Sequence, residues 1–329
     1  MTRFIEALRT VPKVDAAGWA RLSLLTRWAV AARASVLLMT FTSAAIGGML
    51  ALAHERFDAW LWLLACAGLL FAHATNNLIN DLVDSARGVD RENYYRAQYG
   101  THALESGLLS RCGMLAYIGV TALLALAAGI AVVWLRGGLS LPLMLAGGFF
   151  VLFYTWPLKY IGLGEPAVLL VWGPLMTGGA YFVACGEWSW AVAGIGTVYG
   201  LGPTTVLFGK HIDKLEADRV KGIRTLPVLL GEQRARLWVA GMIIVQLLLI
   251  GALVLLNQAP WLLLLCFLNI PAARRAIDAF GAPKPTQRPA DYPAEVWPLW
   301  FAHQAFVLNK RFSGLFLLAL SLAVVFRIA

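Results

Sequence analysis

Residues 60–90 read WLWLLACAGLLFAHATNNLINDLVDSARGVD. The stretch 60–79 is apolar for about the 20 residues that a helix needs to cross a bilayer. Toward its end the run turns polar, through Asn76, Asn77, Asn80, Asp81, Asp84 and Asp90. On a helix, Asn76, Asn80 and Asp84 fall at i, i+4 and i+8 and share one face, with Asn77 and Asp81 on the adjacent strip. Polar groups at membrane depth are costly, so they face a cavity or a partner. Oxygen ligands stacked in this way suit Mg²⁺, which keeps several waters and takes one or two carboxylates plus substrate phosphates. Gly88 allows a turn that brings Asp90 back toward the same ion. The bland alternative is a polar helix end with its caps, but these amides and carboxylates exceed what a cap needs.

The rest of the chain repeats the apolar half of this pattern. Of 329 residues, 60% are hydrophobic and 14% charged, against about 25% charged in an ordinary soluble domain. That composition excludes a soluble enzyme and a disordered protein. Four scattered cysteines, Cys66, Cys112, Cys185 and Cys266, exclude a disulfide scaffold and have no metal spacing. The expected fold is all-α, a polytopic bundle of nine transmembrane helices at roughly 29–52, 60–79, 113–135, 139–156, 165–184, 189–208, 236–256, 260–273 and 312–328. The eighth is short for a full crossing. Residues 29–329 then form a single membrane domain. Residues 1–28, which carry no signal-peptide pattern, form either a surface helix or a flexible arm.

Nine crossings put the termini on opposite sides. All Lys and Arg except Arg33, Arg56, Arg136 and Arg327 then fall on the side of the N-terminus and of the loops around 80–111, 157–164, 209–235 and 274–311. The positive-inside tendency places that side in the cytoplasm. The net charge of +9 fits loops facing anionic lipid. No nucleic-acid motif accompanies it, so nucleic acid is not expected as a partner.

Three further elements lie on the same side. KHIDKLEADRVKGIRTLP, residues 210–227, interleaves Asp213, Glu216 and Asp218 with Lys214 and Arg224. The acids suit metal, while the cations suit direct contact with phosphate oxygens. Alone, such a stretch is more often a salt-bridged surface helix. The loop YTWPLKYIGLGE, residues 154–165, holds Lys159, and its Glu165 suits a helix N-terminus. Arg33 lies inside the first apolar run and either snorkels to the headgroups or points inward at an anion. Together these features describe metal-binding carboxylates and phosphate-binding cations above apolar walls. An isoprenoid diphosphate fits, with a charged head for the metal and a hydrocarbon tail for the bilayer.

Three motifs resemble those of the UbiA superfamily of membrane prenyltransferases, most of all the branch that prenylates 1,4-dihydroxy-2-naphthoate in menaquinone synthesis. Asn80-Asp81-x-x-Asp84-x-x-x-Gly88-x-Asp90 is similar to its first aspartate motif. Tyr154-Thr155-x-Pro157-x-Lys159-Tyr160-x-Gly162-Leu163-Gly164-Glu165 is similar to its loop after the fourth span. Asp218-x-x-x-Gly222-x-x-Thr225-Leu226-x-Val228-x-Leu230-Gly231 is similar to the end of its second motif. The resemblance covers roughly residues 25–329.

It implies an Mg²⁺-dependent transferase of prenyl groups, acting on a polyprenyl diphosphate and a lipophilic or aromatic acceptor within the lipid bilayer. Metal would sit among Asn80, Asp81, Asp84, Asp90, Asp213, Glu216 and Asp218. Arg33, Lys159, Lys214 and Arg224 would hold the diphosphate. Lys159 and Arg33 would neutralise the leaving group, and the ring of Tyr154 would either steady the allylic cation or sit as an ordinary tyrosine of the interfacial belt. Two positions depart from the family pattern. Lys214 stands where the second motif has its first aspartate, so either a one-residue bulge brings Asp213 into place or Lys214 itself meets phosphate. Ala34 replaces a proline. The altered second motif motivates a second reading, a membrane terpene cyclase that uses the same diphosphate without an acceptor. A transporter or scaffold is the third, and it predicts no Mg²⁺-dependent release of diphosphate.

Overall fold

The computed structural model describes residues 2–90 and 100–328, which leaves part of the 80–111 loop outside the described residues. Among them there is no β-strand, only an isolated backbone bridge between Ile161 and Arg224. Three short helices precede the first span: α1 (Thr2–Arg9), α2 (Ala16–Ala20) and α3 (Leu24–Ala31). The first half continues with α4 (Leu37–Ala53), α5 (Ala59–Ala86), α6 (Arg111–Arg136), α7 (Ser140–Phe153), α8 (Gly164–Leu170) and α9 (Gly179–Cys185). The second half comprises α10 (Trp190–Asp213), α11 (Leu215–Val220), α12 (Leu226–Leu230), α13 (Glu232–Leu255), α14 (Ile270–Gly281) and α15 (Trp300–Phe326). Side-chain caps open three of the long helices: Asp58 accepts from the Leu61 N–H, Ser110 from Gly113 and Ser189 from Val192.

Among the described residues, seven stretches are long and apolar enough to cross a membrane: 34–53, 59–86, 111–136, 164–185, 190–213, 232–255 and 300–326. Two of the nine expected spans are not among them. The fourth is α7, of 14 residues. The eighth is a tight 3₁₀ run over Trp261–Asn269 that passes into the amphipathic α14. The protein is an all-helical integral membrane protein, and its central helix is α10. Of its most apolar window 72% is buried, against 17% for α6 and 22% for α13, which turn rows of leucine and valine outward to lipid. α10 packs on α13, α15 and the middle of the fifth span.

Two expected spans are broken. The first, expected as continuous from 29 to 52, stops after α3. Arg33 takes the left-handed conformation (φ 54°, ψ 54°), and the chain restarts through a 3₁₀ turn into α4. Such a conformation costs an arginine about 1 kcal/mol or more, and surrounding contacts must hold it. The fifth widens into a π-helical stretch, Val171–Gly178, between α8 and α9, with Gly173 non-helical and Pro174 beside it. The widened turn meets α10 backbone to backbone. A Cβ on Gly200 would lie 2.9 Å from the Cα of Gly173, and one on Gly196 would lie 2.7 Å from its carbonyl oxygen. Small residues four apart permit this approach inside a bilayer, where packing replaces the hydrophobic effect.

The segment before the first span is packed down. Ala7 and Trp19 are buried against Ala29, Val30, Leu78 and Met114. Thr101 strings the segment to the loop before α6: its Oγ1 accepts the Val14 N–H at 2.7 Å and donates to the Pro12 carbonyl at 2.8 Å.

Gly200→Val should destabilise the bundle by about 1–3 kcal/mol through forced separation of α10 from the fifth span. A thermal melt in detergent checks this, with Gly147→Ala, which adds a Cβ in open space, expected to melt as the parent does.

Candidate functional site

The polar end of α5 forms one wall. Its last turn closes on Gly88 (φ 69°), with the Val89 N–H on the Asp84 carbonyl at 2.8 Å, so the chain reverses directly above Asp84. Asp84 is 6% exposed. Lys159 Nζ lies 2.6 Å from each of its carboxylate oxygens, and Asn80 Nδ2 donates to one of them at 3.1 Å. Asn80 also reaches Thr155 Oγ1 at 3.3 Å. Lys159 is buried in a 3₁₀ turn, Leu158–Tyr160, that follows the cis peptide Trp156–Pro157.

The broken first span explains the strained Arg33. Its guanidinium turns inward, donates to the Asn77 carbonyl at 3.1 Å and to Asn80 Oδ1 at 3.3 Å, and lies 3.2 Å from Asp81. Asn77 returns a bond to the Ala32 carbonyl at 3.0 Å. The break and the polar stripe of α5 therefore hold each other. Of the two readings of Arg33, the inward one is what the structure shows.

The end of α10 forms the facing wall. The helix breaks at Lys214 (φ −114°) and restarts as α11. Lys214 Nζ holds Asp218 Oδ1 at 2.8 Å, with both residues buried. Burial alone would lower the Lys214 ammonium. Asp218, then Asp84 and Asp90, outweigh it, so its pKa lies above the ordinary value and it stays charged at neutral pH. Tyr160 lies between the walls. Burial, then the negative charge of Asp84, pushes its hydroxyl up to about 12, opposed by Arg87, with a smaller push from Asp218. The Arg87 guanidinium lies 4.8 Å from the Tyr160 ring centre and 5.3 Å from that of Trp156. Lys221 Nζ donates to the Val89 carbonyl, tying the second wall to the turn after α5.

The structure thus brings together Arg33, Asn80, Asp81, Asp84, Lys159, Lys214 and Asp218. Tyr154 ends α7 within electrostatic reach of Arg33, Asp84 and Glu165. Asp90 faces the second wall but pairs with His102, Nε2 to Oδ2 at 2.8 Å, beside a cavity of about 620 Å³ also lined by Arg3, Lys13 and Glu105. Two expected metal ligands lie elsewhere. Asp213 accepts the N–H groups of Trp300, Phe301 and Ala302 at 3.1, 3.1 and 2.9 Å. It caps the start of α15, whose first N–H groups have no acceptor within their own helix. Glu216 points to solvent and pairs with Arg219, because the break at Lys214 turns it outward. Arg224 is exposed, its backbone bridging to Ile161.

Sequence reading quoted Thr155 and Tyr160 only as parts of the loop motif, without a role, and missed Arg87 and His102 as members of this neighbourhood, which no spacing within the chain marks. It also took Glu165 for a helix-end charge. Glu165 is 1% exposed, bonds His211 Nδ1 at 2.6 Å and accepts the Leu226 N–H at 3.3 Å, so it locks the Lys159 loop to the Asp218 segment.

Among the described residues no three acidic, histidine or cysteine side chains converge tightly enough to hold a metal alone. The donor set does fit Mg²⁺ delivered with phosphate, which needs only one or two carboxylates. Asp84 and Asp218 supply these, and Asp218 Oδ2 is buried with no hydrogen bond among the described residues. Arg33 Nε is likewise buried and unbonded, a donor left for an anion.

Comparison with known proteins agrees with this architecture. Residues 38–288 match the UbiA prenyltransferase family. The chain is 31% identical over 212 residues to a 2-carboxy-1,4-naphthoquinone phytyltransferase of Synechocystis, covering 62% of this chain and 66% of the relative. It is 29% identical over 234 residues to a 1,4-dihydroxy-2-naphthoate octaprenyltransferase of Escherichia coli, covering 66% and 72%. It thus spans about two thirds of the length of these relatives. Among solved structures, a UbiA homologue from Aeropyrum pernix superposes with a TM-score of 0.64 at 16% identity, covering 88% of this chain and 98% of that one. A homologue from Archaeoglobus fulgidus bound to GPP and Mg²⁺ gives 0.56 at 16% identity, with the same coverage. With its motifs in family order and its two polar helix ends facing each other across one site, the chain belongs to the UbiA prenyltransferase family.

Proposed function

We propose that the protein transfers an isoprenoid chain from a polyprenyl diphosphate to an aromatic, quinone-precursor-like acceptor. The observation that carries this reading is the pairing at the two walls. Asp84 and Asp218 come from distant parts of the sequence, each is buried, and each is held by its own lysine. A site built only for stability gains little from such pairs, because desolvation offsets their attraction. A site built to receive a charged, metal-bound head gains a great deal. The lysines neutralise the carboxylates until the ligand comes, and then have phosphate oxygens to turn to.

In this mechanism Arg33, Lys159 and Lys214 bind the oxygens of the diphosphate, and Asn80, Asp84 and Asp218 are the residues to hold Mg²⁺, with Asp81 and Asp90 beside them. Bound Mg²⁺ supplies charge neutralisation that makes diphosphate a better leaving group. The bond between C1 of the isoprenoid and the bridging oxygen breaks, and its electron pair leaves with the diphosphate. Arg33 and Lys159 stabilise that growing charge in a low-dielectric site. The bundle keeps water from the allylic cation, and the ring of Tyr154 faces it. A ring carbon of the acceptor donates an electron pair to C1, and the ring then loses its proton.

The names of the two bacterial relatives share a naphthalene core oxygenated at positions 1 and 4, which supports a bicyclic acceptor of that class. They differ in the chain transferred, so they do not fix its length. The sorting of Lys and Arg supports a cytoplasmic face for the site and the N-terminus.

Purified protein given a prenyl diphosphate, Mg²⁺ and a 1,4-dihydroxynaphthalene acid should yield the prenylated ring and inorganic diphosphate, read by mass spectrometry. A cyclic hydrocarbon formed without acceptor would instead establish the cyclase reading. Asp84→Ala and Asp218→Ala should each lower kcat/KM on the order of 10³-fold or more; each also leaves a buried lysine unpaired, so the rates are read at a temperature where elution from a sizing column stays normal. Near-parental rates in either variant would refute the assignment. Calorimetry should show Mg²⁺ binding tightly only when a non-reactive prenyl thiodiphosphate is present, since two lysine-paired carboxylates are a poor site by themselves.

A further inference from the structure

The polar stripe of α5 does not stop at Asn77. His73, Asn77, Asn80 and Asp84 lie on one face of the helix by spacing, so His73 sits about 6 Å deeper than Asn77 and about 16 Å deeper than Asp84. It is 7% exposed and carries no role in holding the diphosphate. Its Nδ1 lies 2.8 Å from Thr40 Oγ1 on α4. The same hydroxyl oxygen receives the indole N–H of Trp172 at 3.0 Å. An indole N–H only donates. The Thr40 hydroxyl has two lone pairs and one proton, so beside the indole N–H it either donates to His73 Nδ1 or accepts from an Nδ1–H. In either tautomer Thr40 occupies Nδ1, which leaves Nε2 without a hydrogen bond among the described residues. Trp172 is half-buried, and its ring stands edge-on to the imidazole with centroids 5.2 Å apart. Ser43 holds the Trp172 backbone carbonyl at 2.6 Å, so the wall is rigid.

A buried ring nitrogen in an apolar bundle costs free energy unless something external bonds to it. An isoprenoid tail has no polar atom, and the diphosphate is held a turn or more above. We propose that His73 Nε2 is the specificity contact for the aromatic acceptor: it shares a hydrogen bond with a ring hydroxyl or oxygen of that acceptor, whose flat face packs against Trp172, and Thr40 is its positioning residue. This rests on the transferase reading and adds to it the subsite where the acceptor lies.

His73→Phe keeps an aromatic ring against Trp172 but removes the ring nitrogens. It should raise the KM for a 1,4-dihydroxynaphthalene acceptor about tenfold or more, while KM for the prenyl diphosphate and the Mg²⁺ requirement stay within twofold. His73→Gln, which restores a hydrogen-bonding donor and acceptor, should recover most of the loss, and Thr40→Val, which frees the imidazole to turn, should cost severalfold on the acceptor side alone. The wild-type enzyme should also discriminate about tenfold against a naphthol lacking one of the two oxygens, and His73→Phe should erase that preference; this arm reads the wild type even if a variant folds poorly. An unchanged acceptor KM in His73→Phe, equal losses for donor and acceptor, or no discrimination by the wild type would each overturn the proposal. If the wild type prenylates no oxygenated aromatic at all, the transferase reading fails first and the acceptor subsite goes with it.

Discussion

The structure hinges on the contact between Lys159 and Asp84. Both groups are buried at the edge of a low-dielectric bundle, where an unpaired charge is very costly. Each can be there only because the other is, and removing one partner of such a pair typically costs about 3–5 kcal/mol. The pair forces the short loop after α7 to fold back over the end of α5. Once there, the loop is fixed a second time. Glu165 bonds His211 and the Leu226 N–H, and this brings the end of α10, with Lys214 and Asp218, up to the same place. The two walls of the site are thus joined by buried polar contacts, and each side chain in them is positioned by a partner on another element.

The irregular backbone falls around the site. The left-handed Arg33, the interruption at Lys214 and the reversal at Gly88 all lie at its rim, and the π-helical stretch that carries Trp172 and Gly173 packs on α4 and α10. In a membrane, backbone that leaves the helical ladder survives only where protein or a cavity satisfies it. Arg33 is the clearest case. Its strain is balanced by bonds from its guanidinium to the Asn77 carbonyl and Asn80 and by Asn77 bonding back to the Ala32 carbonyl. Helix breaks here aim side chains that a straight helix would have turned toward lipid.

The departures of this chain from its family pattern find a physical account in the same terms. Lys214 occupies a position where an aspartate is usual, yet it still turns into the second wall. It sits among Asp218, Asp84 and Asp90, which hold it charged. Asp213, its neighbour, is turned the other way, to the start of α15, where three backbone N–H groups need an acceptor. One residue of difference along the chain decides between a place among Asp84, Asp90 and Asp218 and a helix cap, because the break falls between them.

The sequence by itself determined the class of the molecule and much of the site. Apolar runs of bilayer length name a membrane bundle, since no other fold hides so much hydrocarbon with so little charge. The stripe Asn80, Asp81, Asp84 was legible because helical periodicity alone puts those groups on adjoining strips, and Lys159 and Asp218 because their motifs stand in family order on one side of the membrane. Helix breaks were not legible: Arg33 looked embedded in a continuous span, the short 139–156 and 260–273 segments looked like their longer neighbours, and Asp213 and Glu216 looked equivalent to Asp218. Nor was the use of His73, which in sequence is one histidine in an apolar run. Those matters depend on which distant side chain completes a hydrogen bond or an ion pair, and only the tertiary structure decides that.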